Sequence, residues 1–356
     1  MNPPVLDRLD PRALADKSLS GAPLTRDEAR AVLAWPDEDV LSLLNAAHRV
    51  RVAHFGRRVK LNYLVNLQSG LCAEDCSYCT QSKISKAPVE KYRMMSAQEV
   101  MDLADRAVAS GAARLCLVAS MRGPSERDIA GLEKTVRAVK EKHPGLEICA
   151  SLGLLKDGQA ERLADSGVDA YNHNLNTSER HYGEICHTHT HQDRVDTVGR
   201  AKSGGLSPCS GALFGMGETP EDILDVAYRL REMKVDSIPV NFLIPVAGTP
   251  MANRNDVTPT AALKILCLFR FLCPDSELRV AGGRELHLRS LQPLGLFVAN
   301  SIFVGDYLTT KGQAAQADRD MIRDLGFEIQ GDTASAEASG ASPADRVEMV
   351  TRATRQ

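Results

Sequence analysis

From about Arg58 onward the chain repeats one unit: an apolar, β-branched run, a loop, an amphipathic helix, and a glycine or small residue before the next run. The helix ending at Ser110-Gly111 leads into 114–119, the one ending at Ser166-Gly167 into 168–174, and the one ending near Gly204-Gly205 into 206–214; Gly326 before Phe327 echoes the pattern. The pattern predicts strands at 60–67, 113–119, 146–151, 168–173, 206–213, 237–243, 277–281 and 299–303. It predicts helices near 96–110, 125–142, 157–166, 190–203, 219–233, 259–273, 284–296 and 315–325. Eight strand–helix units are what a closed (β/α)8 TIM-type barrel requires. An open doubly wound sheet would carry a glycine-rich turn after its first strand. Here Gly70 is followed by Leu71-Cys72, and GALFGMG at 211–217 comes only after the fifth strand.

Ahead of the barrel, 25–34 and 37–55 read as helices, the first opening with Thr25 and Glu28 as a capping box. Residues 1–57 are therefore expected to form a helical extension capping the N-terminal end of the barrel, and 58–329 the barrel itself. The stretch 330–356 is rich in Gly, Ala, Ser and Asp with few large apolar residues, so it is expected to stay disordered or to form a weak terminal helix.

Charge and composition limit the partners. A chain of 356 residues with 43% hydrophobic and 25% charged residues can bury a sizeable core, and a formal net charge of -3 provides no basic field for nucleic acid or an anionic membrane surface. Residues 1–20 include Pro3, Pro4, Asp7, Asp10 and Pro11 and lack the apolar core of a signal peptide, and no uninterrupted apolar stretch of about 18 residues occurs elsewhere. A soluble, cytoplasmic chain is expected, and its nine cysteines then need an explanation other than a disulfide framework.

Three of them, Cys72, Cys76 and Cys79, form a C-x3-C-x2-C run in SGLCAEDCSYCTQS, just after the first barrel strand, where barrel enzymes place their chemistry. Three thiolates in one short loop can bind three irons of a cubane, and with no fourth cysteine nearby one iron stays open to another ligand. The rival readings are a zinc site short of its fourth ligand, or incidental loop thiols. Cys116, Cys149 and Cys209 fall inside the second, third and fifth predicted strands and could all face one lumen. Each alone is readily a small apolar filler, but three beside the loop motif point to a second metal site whose metal the sequence does not name. Arg279 reads as a hydrogen-bonding lumen residue, and Cys186, Cys267 and Cys273 receive no role.

Asn172 and Asn174 lie two apart on the fourth strand, on one face, with His173 opposite. Arg114 and Cys116 likewise share a face of the second strand. Glycines in 211–218 permit close backbone approach to a ligand, although glycine after a strand usually just makes a turn. His181, His187, His189 and His191 invite a metal reading, but they sit in a polar loop entering a helix, and apart from Cys186 no ligand completes the set.

The loop motif, with Tyr78 before its last cysteine, resembles the radical S-adenosylmethionine (SAM) superfamily, in which three cysteines hold a [4Fe–4S] cluster and SAM takes the fourth iron. Between about Leu61 and Ile329 the phrases NLQSGLCAEDCSYCTQS, ERDIAGLEKTV, YNHNLNTS, CSGALFGMGET, PVNFLIPVAGTP, LRVAGGRE and ANSIFVGDYLTT resemble, in order, those of the biotin synthase family. The resemblance implies a [2Fe–2S] cluster held by Cys116, Cys149, Cys209 and Arg279, although an arginine, protonated and delocalised, is a surprising ligand. It implies SAM contacts from Tyr78, Asn172, Asn174, Asn176, Gly215 and Glu218, and dethiobiotin contacts from Asn172, Asn174, Asn241, Thr309 and Thr310. Asn176 stands where relatives often have an aspartate, and Gln68 where they often have a basic residue. The implied reaction inserts sulfur from the [2Fe–2S] cluster into dethiobiotin to give biotin, with Cys72, Cys76, Cys79, Cys209 and Arg279 as the catalytic set, a flavodoxin- or ferredoxin-type electron donor, and a homodimer. Competing readings are another radical SAM barrel enzyme of mutase or maturase type, and a cluster- or zinc-stabilised binding protein.

Overall fold

The computed structural model describes residues 9–331. The expectation of a disordered or weakly helical tail concerns mainly 332–356, which lie outside the described residues. Among the described residues there are ten parallel strands: β1 (Arg58–Gln68), β2 (Arg114–Ala119), β3 (Glu147–Ser151), β4 (Ala170–Asn172), β5 (Ser207–Cys209), β6 (Ala212–Phe214), β7 (Ser237–Phe242), β8 (Glu277–Val280), β9 (Ser301–Val304) and β10 (Glu328–Ile329). The order β1-β2-β3-β4-β5-β7-β8-β9 closes through β9 on β1, so the expected eight-stranded barrel is formed; β6 continues the line of β5 against β7, and β10 pairs with the start of β1.

Alternation along each strand divides its side chains between two environments. Leu115, Leu117, Ile148 and Ala150 point into the apolar layer under the surrounding helices, where Val100, Ala104, Ile129 and Val136 meet them. The residues between, Cys116 and Cys149, turn into the lumen with Cys209, Ala281 and Phe303. The outer helices start at caps written in the sequence. Ser96 with Glu99, Ser125 with Asp128, Thr190 with Asp193 and Thr219 with Asp222 each form a capping box, contributing about 1 kcal/mol per cap.

Two expected elements are interrupted. The fifth strand stops at Cys209 and resumes at Ala212 because a Cβ at Gly211 would lie 1.9 Å from the Pro239 carbonyl oxygen; the Gly211 N–H goes instead to Asn174 Oδ1 at 3.1 Å. The helix expected over 284–296 divides into Arg284–Leu288, a single 3-10 turn at Arg289–Leu291, and Gln292–Gly295. Pro293 cannot continue the ladder of hydrogen bonds, and Arg289 adopts φ +51° at the break. An unforeseen helix, Pro11–Leu19, is capped by Asp10 and begins with proline at its first position. It and the helices Arg26–Leu33 and Val40–Phe55 pack on Pro259–Leu272. Arg51 carries that extension to the N-terminal ends of β1 and β9: its buried guanidinium donates to the carbonyls of Arg58 and Ala299 at 3.0 and 3.1 Å.

Candidate active site

At the C-terminal mouth, β1 ends with Gln68, whose side-chain amide donates to the Ser120 carbonyl at 2.9 Å. The chain then turns at Gly70, which has φ +67° and would bring a Cβ within 2.7 Å of Lys91 Cγ. The cysteine loop that follows is held from several sides. Cys79 N–H donates to the Cys76 carbonyl, Ser82 N–H to that of Cys79, and Ser77 N–H to that of Ile185, at 3.1, 3.2 and 2.9 Å. The Asp75 carboxylate accepts the N–H groups of His187 and Thr188 at 2.9 and 3.1 Å. Burial pushes the Cys72 thiol up to about 11 and raises Cys79 as well; Cys76 is raised by hydrogen bonding with Cys186 and by burial. Thiols in such surroundings ionise when a metal supplies the positive charge.

The lumen holds the second group. Cys116 pairs in register with Cys149, Asn172 with Cys209, and Pro239 with Arg279, so residues far apart in sequence come to neighbouring levels of the barrel. Cys149 interacts with both Cys116 and Cys209. That interaction, helped by the guanidinium groups of Arg279 and Arg114, lowers Cys209 and Cys116, while Cys149 is raised. Arg279 is buried, donates to Ser301 Oγ at 3.2 Å, pairs with Glu277, and lies 5.0 Å from the Phe303 ring centroid. Although burial opposes ionisation of Glu277, Arg114, Arg279 and Lys60 hold its carboxylate well below the ordinary range. The lumen thiols thus sit on a fixed, cation-rich floor.

A cavity of about 340 Å³ connects floor and mouth, lined among others by Cys79, Cys116, Cys149, Asn172, Asn241 and Arg279. Tyr78, Asn174, Asn176, Thr309 and Thr310 also face it, so most of the residues expected at the site are brought together. Cys209 packs directly behind, with Cys116 and Cys149. Asn241 is oriented by donating to the Ala212 carbonyl and accepting from Gly282 N–H, at 3.2 and 3.0 Å. Asn176 adopts φ +70° and donates to the Tyr78 hydroxyl. Gly215 and Glu218 are not part of the lining: the Glu218 carboxylate accepts the N–H groups of Gly215 and Met216 at 2.7 and 2.8 Å and shapes the turn there.

Two participants escaped the sequence reading. Tyr307 lines the cavity and donates to Glu285 Oε2 at 3.0 Å. Arg194 is buried beneath the mouth, donating to the Asn174 carbonyl at 2.7 Å and approaching the Tyr78 hydroxyl at 3.5 Å. A charged residue inside a polar helix gives no periodic signal of burial, although its position next to the histidine run was a local oddity.

The donor sets suit polynuclear clusters. Among the described residues, neither triad of cysteines brings its three sulfurs within 4.8 Å of one another, so neither is gathered as the ligand set of a single ion. The Radical SAM superfamily model matches residues 68–265 and the Biotin and Thiamin Synthesis associated domain matches 239–328. A biotin synthase of Saccharopolyspora erythraea is 54% identical, with 93% of this chain and 94% of that one covered, and one of Kocuria rhizophila is 56% identical over 90% of this chain and 69% of that one. The chain belongs to the biotin synthase family. Like that family's superfamily model, the solved structures describe the same barrel: methylornithine synthase superposes with a TM-score of 0.78 at 22% identity, covering 91% of this chain and 99% of that one. The FeFe-hydrogenase maturase of Carboxydothermus hydrogenoformans gives 0.77 at 20% identity, covering 93% and 82%. Placed in the biotin synthase family, the chain is a radical SAM enzyme, and SAM with a [4Fe–4S] cluster follows from that membership.

Proposed function

We propose that the chain makes biotin by inserting sulfur into dethiobiotin, with Cys72, Cys76 and Cys79 holding a [4Fe–4S] cluster and Cys116, Cys149, Cys209 and Arg279 a [2Fe–2S] cluster. The observation that carries this reading is that one cavity reaches from a cysteine of the loop motif, Cys79, to thiols of a second set, Cys116 and Cys149, beside Arg279. When bound, the cofactors supply a 5′-deoxyadenosyl radical from SAM and a sulfide from the smaller cluster, chemistry that no side chain of ordinary pKa performs on an unactivated C–H bond.

The residues contribute position and enclosure. Asn172, Asn174 and Asn241 present amide donors and acceptors suited to a cyclic urea, and the hydroxyls of Thr309 and Thr310 suit a carboxylate at the mouth. Tyr78 and Asn176 are the residues beside the cysteine loop assigned to SAM; Asn176 donates to the Tyr78 hydroxyl and Arg194 approaches it at 3.5 Å, which supports a preset orientation. Leu213, Phe242, Leu243 and Phe303 form apolar wall that keeps water from a radical. Gly215 and Glu218 belong to this reading as the turn that borders the SAM site. Family membership further suggests a flavodoxin- or ferredoxin-type electron donor, a homodimer and a cytoplasmic setting; among the described residues no helix is long and apolar enough to cross a membrane.

The test is anaerobic conversion of dethiobiotin to biotin by reconstituted wild type and Cys209→Ala. The expected result is biotin from wild type only, with 5′-deoxyadenosine still produced by the variant. Biotin formation by Cys209→Ala at the wild-type level would remove Cys209 from the sulfur-donating set.

A further inference from the structure

Outside the cavity lining, the mouth loop meets the histidine-rich segment in a compact group. Cys186 Sγ lies 3.7 Å from Cys76 Sγ, and 3.3 and 3.9 Å from Nδ1 and Nε2 of His189. All three side chains are buried, and one donor atom from each falls within 4.8 Å of the others; among the described residues they are the only His, Cys, Asp and Glu side chains so arranged. A tetrahedral ion with metal–sulfur bonds of about 2.3 Å and metal–nitrogen bonds of about 2.0 Å has a sulfur–sulfur edge of about 3.8 Å and a sulfur–nitrogen edge of about 3.5 Å. The Cys76–Cys186 and Cys186–His189 Nδ1 separations, 3.7 and 3.3 Å, lie close to those edges.

The surroundings orient the histidine. His189 Nε2 is 2.8 Å from the Tyr182 hydroxyl, a contact that leaves Nδ1 directed toward Cys186 and, at 2.7 Å, toward Glu74 Oε2. Such an outer contact fixes the ring and tautomer of a ligating histidine. Glu74, in hydrogen-bond contact with that ring, is itself tethered by Arg122 at 3.1 Å.

We propose that the cluster-free chain binds one thiophilic divalent ion, of the zinc or ferrous class, through Cys76, Cys186 and His189. Because Cys76 cannot serve both groups, this ion and the [4Fe–4S] cluster exclude one another; that exclusion rests on the role given to Cys76 above, whereas the site itself does not.

Cobalt(II) is the probe, added anaerobically to the full-length cluster-free protein. Wild type is expected to bind one equivalent with the visible absorption of a tetrahedral thiolate complex. Cys186→Ala and, independently, His189→Asn are expected to weaken that binding by about tenfold or more. Cys72→Ala and Cys79→Ala are expected to retain it. Retention in both Cys186→Ala and His189→Asn, or loss in Cys79→Ala, would assign the ion to the loop motif alone and overturn the proposal. Zinc added first is expected to slow [4Fe–4S] reconstitution in wild type and not in Cys186→Ala; equal slowing in both overturns the exclusion. None of these readouts requires SAM or dethiobiotin, so failure here leaves the sulfur-insertion reading to its own test.

Discussion

Asn172 donates its side-chain N–H to Cys209 Sγ at 3.2 Å and, through the same nitrogen, to Asn174 Oδ1 at 3.0 Å. One amide therefore links a lumen thiol to the polar wall of the cavity, and a hydrogen bond to sulfur withdraws electron density from a cluster ligand. Asn172→Ala is expected to shift the visible absorption of the reconstituted lumen cluster and to lower biotin formation by about 10- to 100-fold. Absorption and EPR spectra of wild type and variant, taken with product yield, check this; superimposable spectra would contradict it.

The two cysteine triads have no residue in common, so their losses are expected to separate. Cys79→Ala should abolish SAM cleavage, read as 5′-deoxyadenosine, while keeping the Mössbauer signature of the lumen cluster. Cys116→Ser should retain the mouth cluster and lose or alter the other. Disappearance of both signals in each variant would show that one site depends on the other.

At the mouth, Thr309 Oγ1 lies 2.9 Å from Thr80 Oγ1, which joins the loop after β9 to the cysteine loop across the cavity opening. If the Thr309 hydroxyl meets the dethiobiotin carboxylate, Thr309→Val removes about 1 kcal/mol of hydrogen bonding. The expected outcome is a KM for dethiobiotin raised about fivefold with kcat little changed. Steady-state kinetics decide; a fall in kcat at constant KM would place the residue elsewhere in the cycle.

Acid stability has a specific source at Asp222, a buried carboxylate that accepts from Ser178 Oγ at 2.6 Å, Arg180 Nη2 at 2.8 Å and Thr219 N–H at 2.8 Å. Burial alone would raise its pKa, but the bonds from Ser178, Thr219 and Arg180 outweigh that and hold it well below the ordinary 3.8. A carboxyl depressed in the fold contributes stability that is fully present above its unfolded value and is lost as pH falls toward the folded one. Asp222→Asn is expected to cost about 1–3 kcal/mol near neutrality. The difference from wild type should narrow as pH drops below about 4. Denaturant titrations at neutral and acid pH measure it, and a constant difference would point to packing as the cause.

The strands and outer helices were legible because each follows from local alternation or from a cap within a few residues, as with Ser125 and Asp128 at the helix start before β3. The interruption at Gly211 was not, since it depends on the Pro239 carbonyl approaching from β7. The expected SAM and substrate contacts came from resemblance and most of them line one cavity, whereas Glu218, named among the SAM contacts, has its carboxylate taken up by neighbouring backbone N–H groups.

By itself the sequence determined the βα rhythm, hence the barrel, and the C-x3-C-x2-C spacing that confines three thiols to one loop, because both are properties of contiguous residues. Only the tertiary structure decided that Cys116 and Cys149 stand in register, that Arg279 lines one cavity with them, and that Cys186 comes to rest 3.7 Å from Cys76, a residue 110 positions earlier. Those relationships arise from strand register and from loops meeting at the barrel mouth, where contacts form between segments that no local pattern couples.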